Sequence, residues 1–233
     1  MFFKSSSDIE AEIFKARMPR MIFDVGACRG EMAQDFLRRY PGTRLVAFEP
    51  EPENARHALE VLAPHRDRAT LEAFALSDRS GTVRFHVNSH HGTHSLHEIG
   101  AQRYWAGHAE ARDTIEVRTA TLDDYCAQNG IHEIDILKLD TQGSELSILR
   151  GASLLLSTGR IAMIRCEVEI YPLYSDQPLF HDILAWLNRF GYKLAGVHDP
   201  YYHAKNPVVL SWFDATFVAP RLTGVPEWER DRA

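Results

Sequence analysis

The stretch from Met21 to Gly30 constrains this chain most. An apolar run, Met21-Ile22-Phe23, closes on Asp24, and Gly26 and Gly30 bracket a short bend. A helical pattern then opens with Glu31-Met32-Ala33-Gln34-Asp35-Phe36-Leu37. Strand, tight glycine bend and helix in that order form the first unit of a nucleotide-binding α/β sheet. A second apolar run, Arg44 to Phe48, ends in Glu49-Pro50, roughly twenty residues past the glycines, where a carboxylate can accept from both hydroxyls of a ribose.

The bend also limits which nucleotide fits. A dinucleotide fingerprint needs glycines at positions 26, 28 and 31, so that backbone amides can close on a pyrophosphate. Here position 28 is Cys and position 31 is Glu. The Cys28 side chain obstructs that approach, and a carboxylate in the first helical turn repels phosphate from the helix N-terminus. The bend therefore suits an adenosine ligand without phosphates, and S-adenosylmethionine is the common cofactor of that description. An ordinary glycine turn is the alternative for the glycines alone. Asp24 and Glu49 together count against it.

The remaining pattern alternates strands with helices. Ser7 or Asp8 is expected to cap a first helix through about Lys15, and Pro52 to start another that ends at Pro64. Strands are expected at 70–76, 82–87, 115–119, 134–140 and 161–169, with a helix carrying Leu146, Leu149, Leu154 and Leu155 and another from Pro178 to Phe190 closed by Gly191. Two final strands lie at 192–197 and 213–218, the last reversed. Such alternation implies a mostly parallel central sheet with helices on both faces, whose ligands sit beyond the carboxyl ends of the strands. That rule lines up Asp24, Glu49, Ala75-Leu76, Asp140 and Glu167 along one rim. The chain reads as an N-terminal helix and lead-in (1–19), one domain (20–220) with an inserted mobile loop at 88–113, and a C-terminal tail (221–233).

A net charge of -6 tells against a nucleic-acid backbone or an acidic membrane as the main partner. No apolar run approaches membrane-spanning length, and Met1-Phe2-Phe3-Lys4 leads straight into Ser5-Ser6-Ser7-Asp8 without a signal core. Cys28, Cys126 and Cys166 are odd in number and show no paired spacing, which fits a reducing compartment and a cytoplasmic location.

With these blocks in place the chain resembles the FkbM family of S-adenosylmethionine-dependent methyltransferases over roughly Ile22 to Val218. The likeness is carried by Asp24-Val25-Gly26-Ala27, Phe48-Glu49-Pro50, Ala75-Leu76-Ser77-Asp78 with Gly81, and Lys138-Leu139-Asp140-Thr141-Gln142-Gly143-Ser144-Glu145 with Leu149-Arg150-Gly151-Ala152. The family commonly has an acid where Gln142 stands and Asn where Cys28 stands. The resemblance implies a Rossmann-like class I methyltransferase fold and methyl transfer, typically to a hydroxyl oxygen of a sugar or other small molecule. Carried over position by position, Asp24, Gly26, Ala27 and Gly30 would hold the methionine portion. Glu49 would take the ribose and Pro50 shape that turn, and Phe74, Ala75 and Leu76 would lie by the adenine.

An alcohol nucleophile benefits from a base within hydrogen-bond reach. Asp140 is the leading candidate; a helix cap or a contact to the cofactor amine is its other reading. Lys138 shares its face by the period-two rule and could stabilise an alkoxide or pair with Asp140 or Glu167. Glu167 and Glu169 could orient acceptor hydroxyls, or hold a divalent metal with Asp140. The metal is not favoured because no third ligand is evident. Among His90, His91, His94 and His97 the spacing fits no tetrahedral zinc site. His94, on a mobile lid, is a candidate proton acceptor, and exposed loop histidines are the plainer reading. Tyr171, Tyr174, Tyr201, Tyr202 and Trp212 could wall an acceptor site, fill the core or meet a second subunit in a homo-oligomer. Two competing functions are a nicotinamide-dependent reductase, which lacks the required glycines and a Tyr-x-x-x-Lys pair, and a non-catalytic protein that keeps the fold.

Overall fold

The computed structural model describes residues 5–100, 109–203 and 206–223. The first helix, α1 (Ser6–Ile13), is capped by Ser5 in a reciprocal pair with Asp8, two or three residues earlier than the Ser7 or Asp8 expected from sequence. Strand β1 (Met21–Val25), α2 (Glu31–Arg39), β2 (Arg44–Phe48) and α3 (Pro52–Leu62) follow where the apolar pattern puts them. Glu51, just ahead of Pro52, caps α3 by accepting from the Glu53 and Asn54 amides.

The expected strand at 70–76 is two strands in two sheets. β3 (Ala69–Glu72) pairs with β2, whereas β4 (Ala75–Leu76) pairs with β6 (Ala111–Ala120) beside β5 (Gly81–Asn88). The break has a packing cause. Phe74 turns inward to meet Phe48 edge-on at 5.6 Å, and the Arg118 guanidinium covers its ring at 3.9 Å. β5 and β6 pair antiparallel, as their alternation requires. Of the loop expected at 88–113, residues 101–108 lie outside the described residues, as do residues 224–233 of the tail.

After α4 (Leu122–Gln128) and β7 (Ile134–Leu139), the expected single helix is also broken, into α5 (Glu145–Arg150) and α6 (Ser153–Ser157). Asp123 explains the break, because its carboxylate accepts from the Leu154 and Leu155 amides and caps α6 from another helix. β8 (Ile161–Glu169), α7 (Phe180–Asn188), β9 (Lys193–His203) and β10 (Asn206–Val218) complete the chain.

The main sheet runs β3-β2-β1-β7-β8-β10-β9. All its pairs are parallel except those of β10, which lies reversed between β8 and β9. Alternate side chains feed two cores. Ile22, Leu45, Ile136 and Met163 pack with Phe36 and Leu37 of α2, while Phe23, Leu137, Ile164 and Cys166 pack with Tyr125, Leu149 and Leu187 on the other face. Helices therefore cover both faces. No helix of the described residues is long and apolar enough to cross a membrane.

Gly151, in the α5–α6 break, joins the small sheet to the main core. A Cβ there would stand 2.1 Å from the Ser77 carbonyl oxygen. Gly151→Ala is expected to cost about 1–3 kcal/mol of unfolding free energy in urea titration, as overpacking does, with an unchanged denaturant slope.

Candidate active site

The strand order reverses between β1 and β7, and a cleft opens at their carboxyl ends. It holds about 610 Å³ of space, its open mouth included. Val25, Phe48, Phe74, Ala75, Leu76, Phe85 and Leu96 make its apolar wall; Glu49, Asn54, Asp140, Thr141, Gln142 and Ser144 supply polar groups. A largely apolar cleft with few convergent polar groups is the usual form of a small-molecule site.

Backbone contacts build the floor. The Gly26 and Ala27 amides both donate to the Phe48 carbonyl, at 3.1 and 3.0 Å, and the Asp140 amide donates to the Val25 carbonyl at 3.1 Å. Gly26 has φ 74°, and a Cβ there would stand 1.8 Å from the Asp140 carbonyl oxygen. That glycine is required because two strand ends meet over it. Gly30, at φ 88°, packs instead against Ala58 of α3.

Of the site residues expected from sequence, Gly26, Glu49, Pro50, Phe74, Ala75, Leu76, Asp140 and His94 line the cleft. Asp24, Ala27, Gly30, Lys138 and Glu167 do not line it. Asp24 and Lys138 are buried directly beneath: Lys138 Nζ stands 3.0 Å from Asp24 Oδ1 and 3.5 Å from Asp140 Oδ2, and donates to the Gly26 carbonyl at 3.0 Å. Burial pushes the Asp24 carboxyl up and Lys138 pulls it back, while its acidic neighbours hold Lys138 above its ordinary value. The ion pair is the state that satisfies both. Glu167 sits behind Asp140, joined to it through the Gln142 carboxamide. Burial, then the charge of Asp140, raises the Glu167 carboxyl well above the ordinary range.

Glu49 is buried at the tip of β2, and its oxygens accept from the Cys28 amide at 2.8 Å and the Glu51 amide at 2.9 Å. Each oxygen keeps a second lone pair. Two amides favour the charged form, yet burial outweighs them and pushes the carboxyl up to about 8. Cys28, at φ 49°, turns its thiol to within 3.3 Å of His91 Nδ1, and burial raises that thiol to about 11, so it stays protonated. Its side chain occupies the bend where a pyrophosphate-binding loop has bare backbone.

A segment from 89 to 100 covers the cleft. Asn54 Nδ2 donates to the His91 carbonyl at 2.9 Å and Ser95 Oγ to the Gln142 carbonyl at 2.7 Å. His94 accepts at Nδ1 from the Asn88 amide, and burial lowers its basicity. Thr141, Gln142 and Ser144 follow Asp140 in the motif that carries the family likeness, whereas Asn54 and Phe85 reach the cleft through long-range packing that no local pattern shows. The buried Ser144 hydroxyl has no hydrogen-bond partner among the described residues, so this cleft-lining donor is left for a ligand. Of the expected aromatic wall, Tyr174 approaches the cleft residues, standing 3.0 Å from the Gln142 carboxamide, while Tyr201 stacks on Trp212 at 3.7 Å along the β9–β10 pair. No three His, Cys, Asp or Glu side chains among the described residues gather as metal ligands.

Residues 24–194 match the methyltransferase FkbM domain family. The chain belongs to that family. Among its FkbM-family relatives is the 2-O-methyltransferase NoeI of Sinorhizobium fredii, 32% identical over 167 residues, which cover 69% of this chain. The match spans 65% of NoeI's own length. The 31-O-demethyl-FK506 methyltransferase FkbM of Streptomyces tacrolimicus is 25% identical over 203 residues, covering 78% of this chain and 76% of that protein. The fold is that of M. capricolum TrmK, solved with S-adenosyl-homocysteine, at a TM-score of 0.50 and 9% identity over 96% of this chain and 73% of that one.

The Glu49 shift gives a pH dependence. The unfolded carboxyl ionises near 4.5 and the folded one near 8, so the folded chain holds the extra proton between those values. Its contribution is fully present below about 4.5 and lost as pH rises through about 8. Unfolding free energy measured without ligand should fall between pH 5.5 and 8.5, and Glu49→Gln should flatten that slope. An equal slope in both proteins would assign the pH dependence elsewhere.

Proposed function

We propose that this protein is an S-adenosylmethionine-dependent methyltransferase that methylates a hydroxyl oxygen of a sugar or other small molecule in a reducing, cytoplasmic setting. The observation that carries the reading is that Glu49 and Asp140 border one cleft whose phosphate-binding bend is filled by Cys28. The residues present fit the cofactor. Phe74, Ala75 and Leu76 offer an apolar slot for adenine, and Glu49 retains free lone pairs for two ribose hydroxyls. Gly26 and the unpartnered Ser144 hydroxyl supply the polar end for the methionine portion. Asp24, Ala27 and Gly30 act by holding that floor in shape.

When bound, S-adenosylmethionine supplies a methyl group on an activated sulfonium. The protein's own work is then to orient the acceptor and to take one proton. Asp140 is the proton acceptor in this reading, because it lines the cleft at the tip of β7 and Lys138 stands behind it as a fixed counter-charge. Lys138 is a positioning residue, since its ammonium is spent on Asp24, Asp140 and the Gly26 carbonyl. His94 lies on the covering segment with low basicity and one nitrogen already engaged, which suits it to contact the acceptor more than to take its proton. Glu167 supports Asp140 from behind.

Glu49→Ala should weaken S-adenosyl-homocysteine binding by about 1.5–3 kcal/mol in calorimetry above about pH 8, where the Glu49 carboxyl is ionised and its hydrogen bonds are those of a charged group. Unchanged affinity would remove Glu49 from the site. With an acceptor found by screening sugars and small alcohols, Asp140→Asn should lower turnover by about 10² to 10⁴-fold, as loss of a general base does, and leave cofactor affinity nearly intact. Matching losses in both would make Asp140 a binding residue.

A further inference from the structure

Gln142 holds a left-handed backbone position, φ 56°, in the bend after β7. Its carboxamide nitrogen stands 3.1 Å from Asp140 Oδ1 and 2.7 Å from Glu167 Oε2, so its two protons go to carboxyl groups from two neighbouring strands. Its amide oxygen stands 3.0 Å from the Tyr174 hydroxyl, whose single proton it shares with the Thr93 carbonyl at the same distance, and the two carboxyl groups on the nitrogen side set the direction of the group. Its main-chain oxygen accepts from Ser95 Oγ on the covering segment.

Two carboxyl groups converging on one point, Asp140 facing the cleft with 40% of its side chain exposed and Glu167 half-buried, repel each other unless a proton, a cation or a shared donor stands between them. The carboxamide supplies two donors and no charge, and it serves whether or not Glu167 is protonated, because a neutral carboxyl still accepts at its carbonyl oxygen. Lys138 neutralises Asp140 from the opposite side, at its other oxygen. A Glu side chain at position 142 would bring a third carboxyl to the same point with no proton to give. Three converging carboxyl oxygens form a donor set suited to a hard divalent cation.

We propose that Gln142 is a positioning residue whose carboxamide takes the place of a bridging divalent cation, holding Asp140 and Glu167 together and tying them to the segment that covers the cleft. The acid ledge then needs no metal between its carboxyl groups. The inference rests on the methyl-transfer reading only in naming Asp140 as the group held for chemistry.

The test titrates Mn²⁺ alone, and separately S-adenosyl-homocysteine, into the full chain by calorimetry. The native protein should show no saturable Mn²⁺ binding up to about 1 mM, and Gln142→Glu should gain one site at least about tenfold tighter than that limit. Adding Glu167→Gln to that variant should weaken the new site by about tenfold or more. Gln142→Ala, which removes the bridge without adding charge, should gain a weaker Mn²⁺ site and serves if the acidic variant does not fold. Saturable Mn²⁺ binding by the native chain that Asp140→Asn abolishes would overturn the bridge. So would variants of native thermal stability that take up no Mn²⁺. S-adenosyl-homocysteine failing to bind the native chain would strike the methyltransferase reading instead, and the Mn²⁺ series would still decide the role of Gln142.

Discussion

Lys138 and Asp24 face each other in register across the two central parallel strands, both buried, with the cleft directly above them. A buried ion pair offers little net stability, but removing one partner of such a pair costs about 3–5 kcal/mol because the other charge is left alone. What the pair secures here is geometry. The same ammonium reaches the Gly26 carbonyl and the Asp140 carboxylate, so one cation draws together the ends of β1 and β7. The switch-point cleft owes its shape to that convergence, and Gly26 permits it by having no side chain where Asp140 passes.

Around this cation the site is crowded with acids. Asp24, Asp140, Glu145, Glu167 and Glu169 all lie near the strand ends; Lys138 serves Asp24 and Asp140, and the Gln142 carboxamide serves Asp140 and Glu167. Glu145 accepts from the Thr141 and Gly143 amides and the Thr141 hydroxyl, and so folds the bend after β7 around itself. Glu49, further along the rim, is held by two amides. Low dielectric makes each unmet charge costly, so the donors are arranged before any ligand arrives. A preorganised rim of this kind suits the proposed in-line methyl transfer, in which the leaving group needs no help and the acceptor needs a fixed direction.

Much of this was readable along the chain. The β1–α2 unit, the acid at the tip of β2 and the acid at the tip of β7 each follow from local pattern, since strand period and glycine placement are short-range signals. The break at Phe74 was not readable. The run from Leu71 to Leu76, apolar but for Glu72, has no internal signal for changing sheets, and the contacts of Phe74 with Phe48 and Arg118 turn it. The cap of α6 by Asp123 was hidden for the same reason, because donor and acceptor are about thirty residues apart in sequence, a separation no local periodicity spans.

The amino-acid order alone determined the sheet's alternating plan and the reversed last strand, because those depend on periods of two and 3.6 residues and on where glycine and proline interrupt them. Which of the expected site residues touch the cleft, and which stand beneath it, was decided only in three dimensions. Asp24 and Asp140 look alike in sequence, each an acid closing an apolar run. One is buried against Lys138 and the other is open to the cleft, because parallel register sets Lys138 beside Asp24 and leaves Asp140 one step beyond the strand's end. Gln142 reads as a lost acid in sequence. Folding brings Glu167 within 2.7 Å of it, and the amide becomes the group that two carboxyls share.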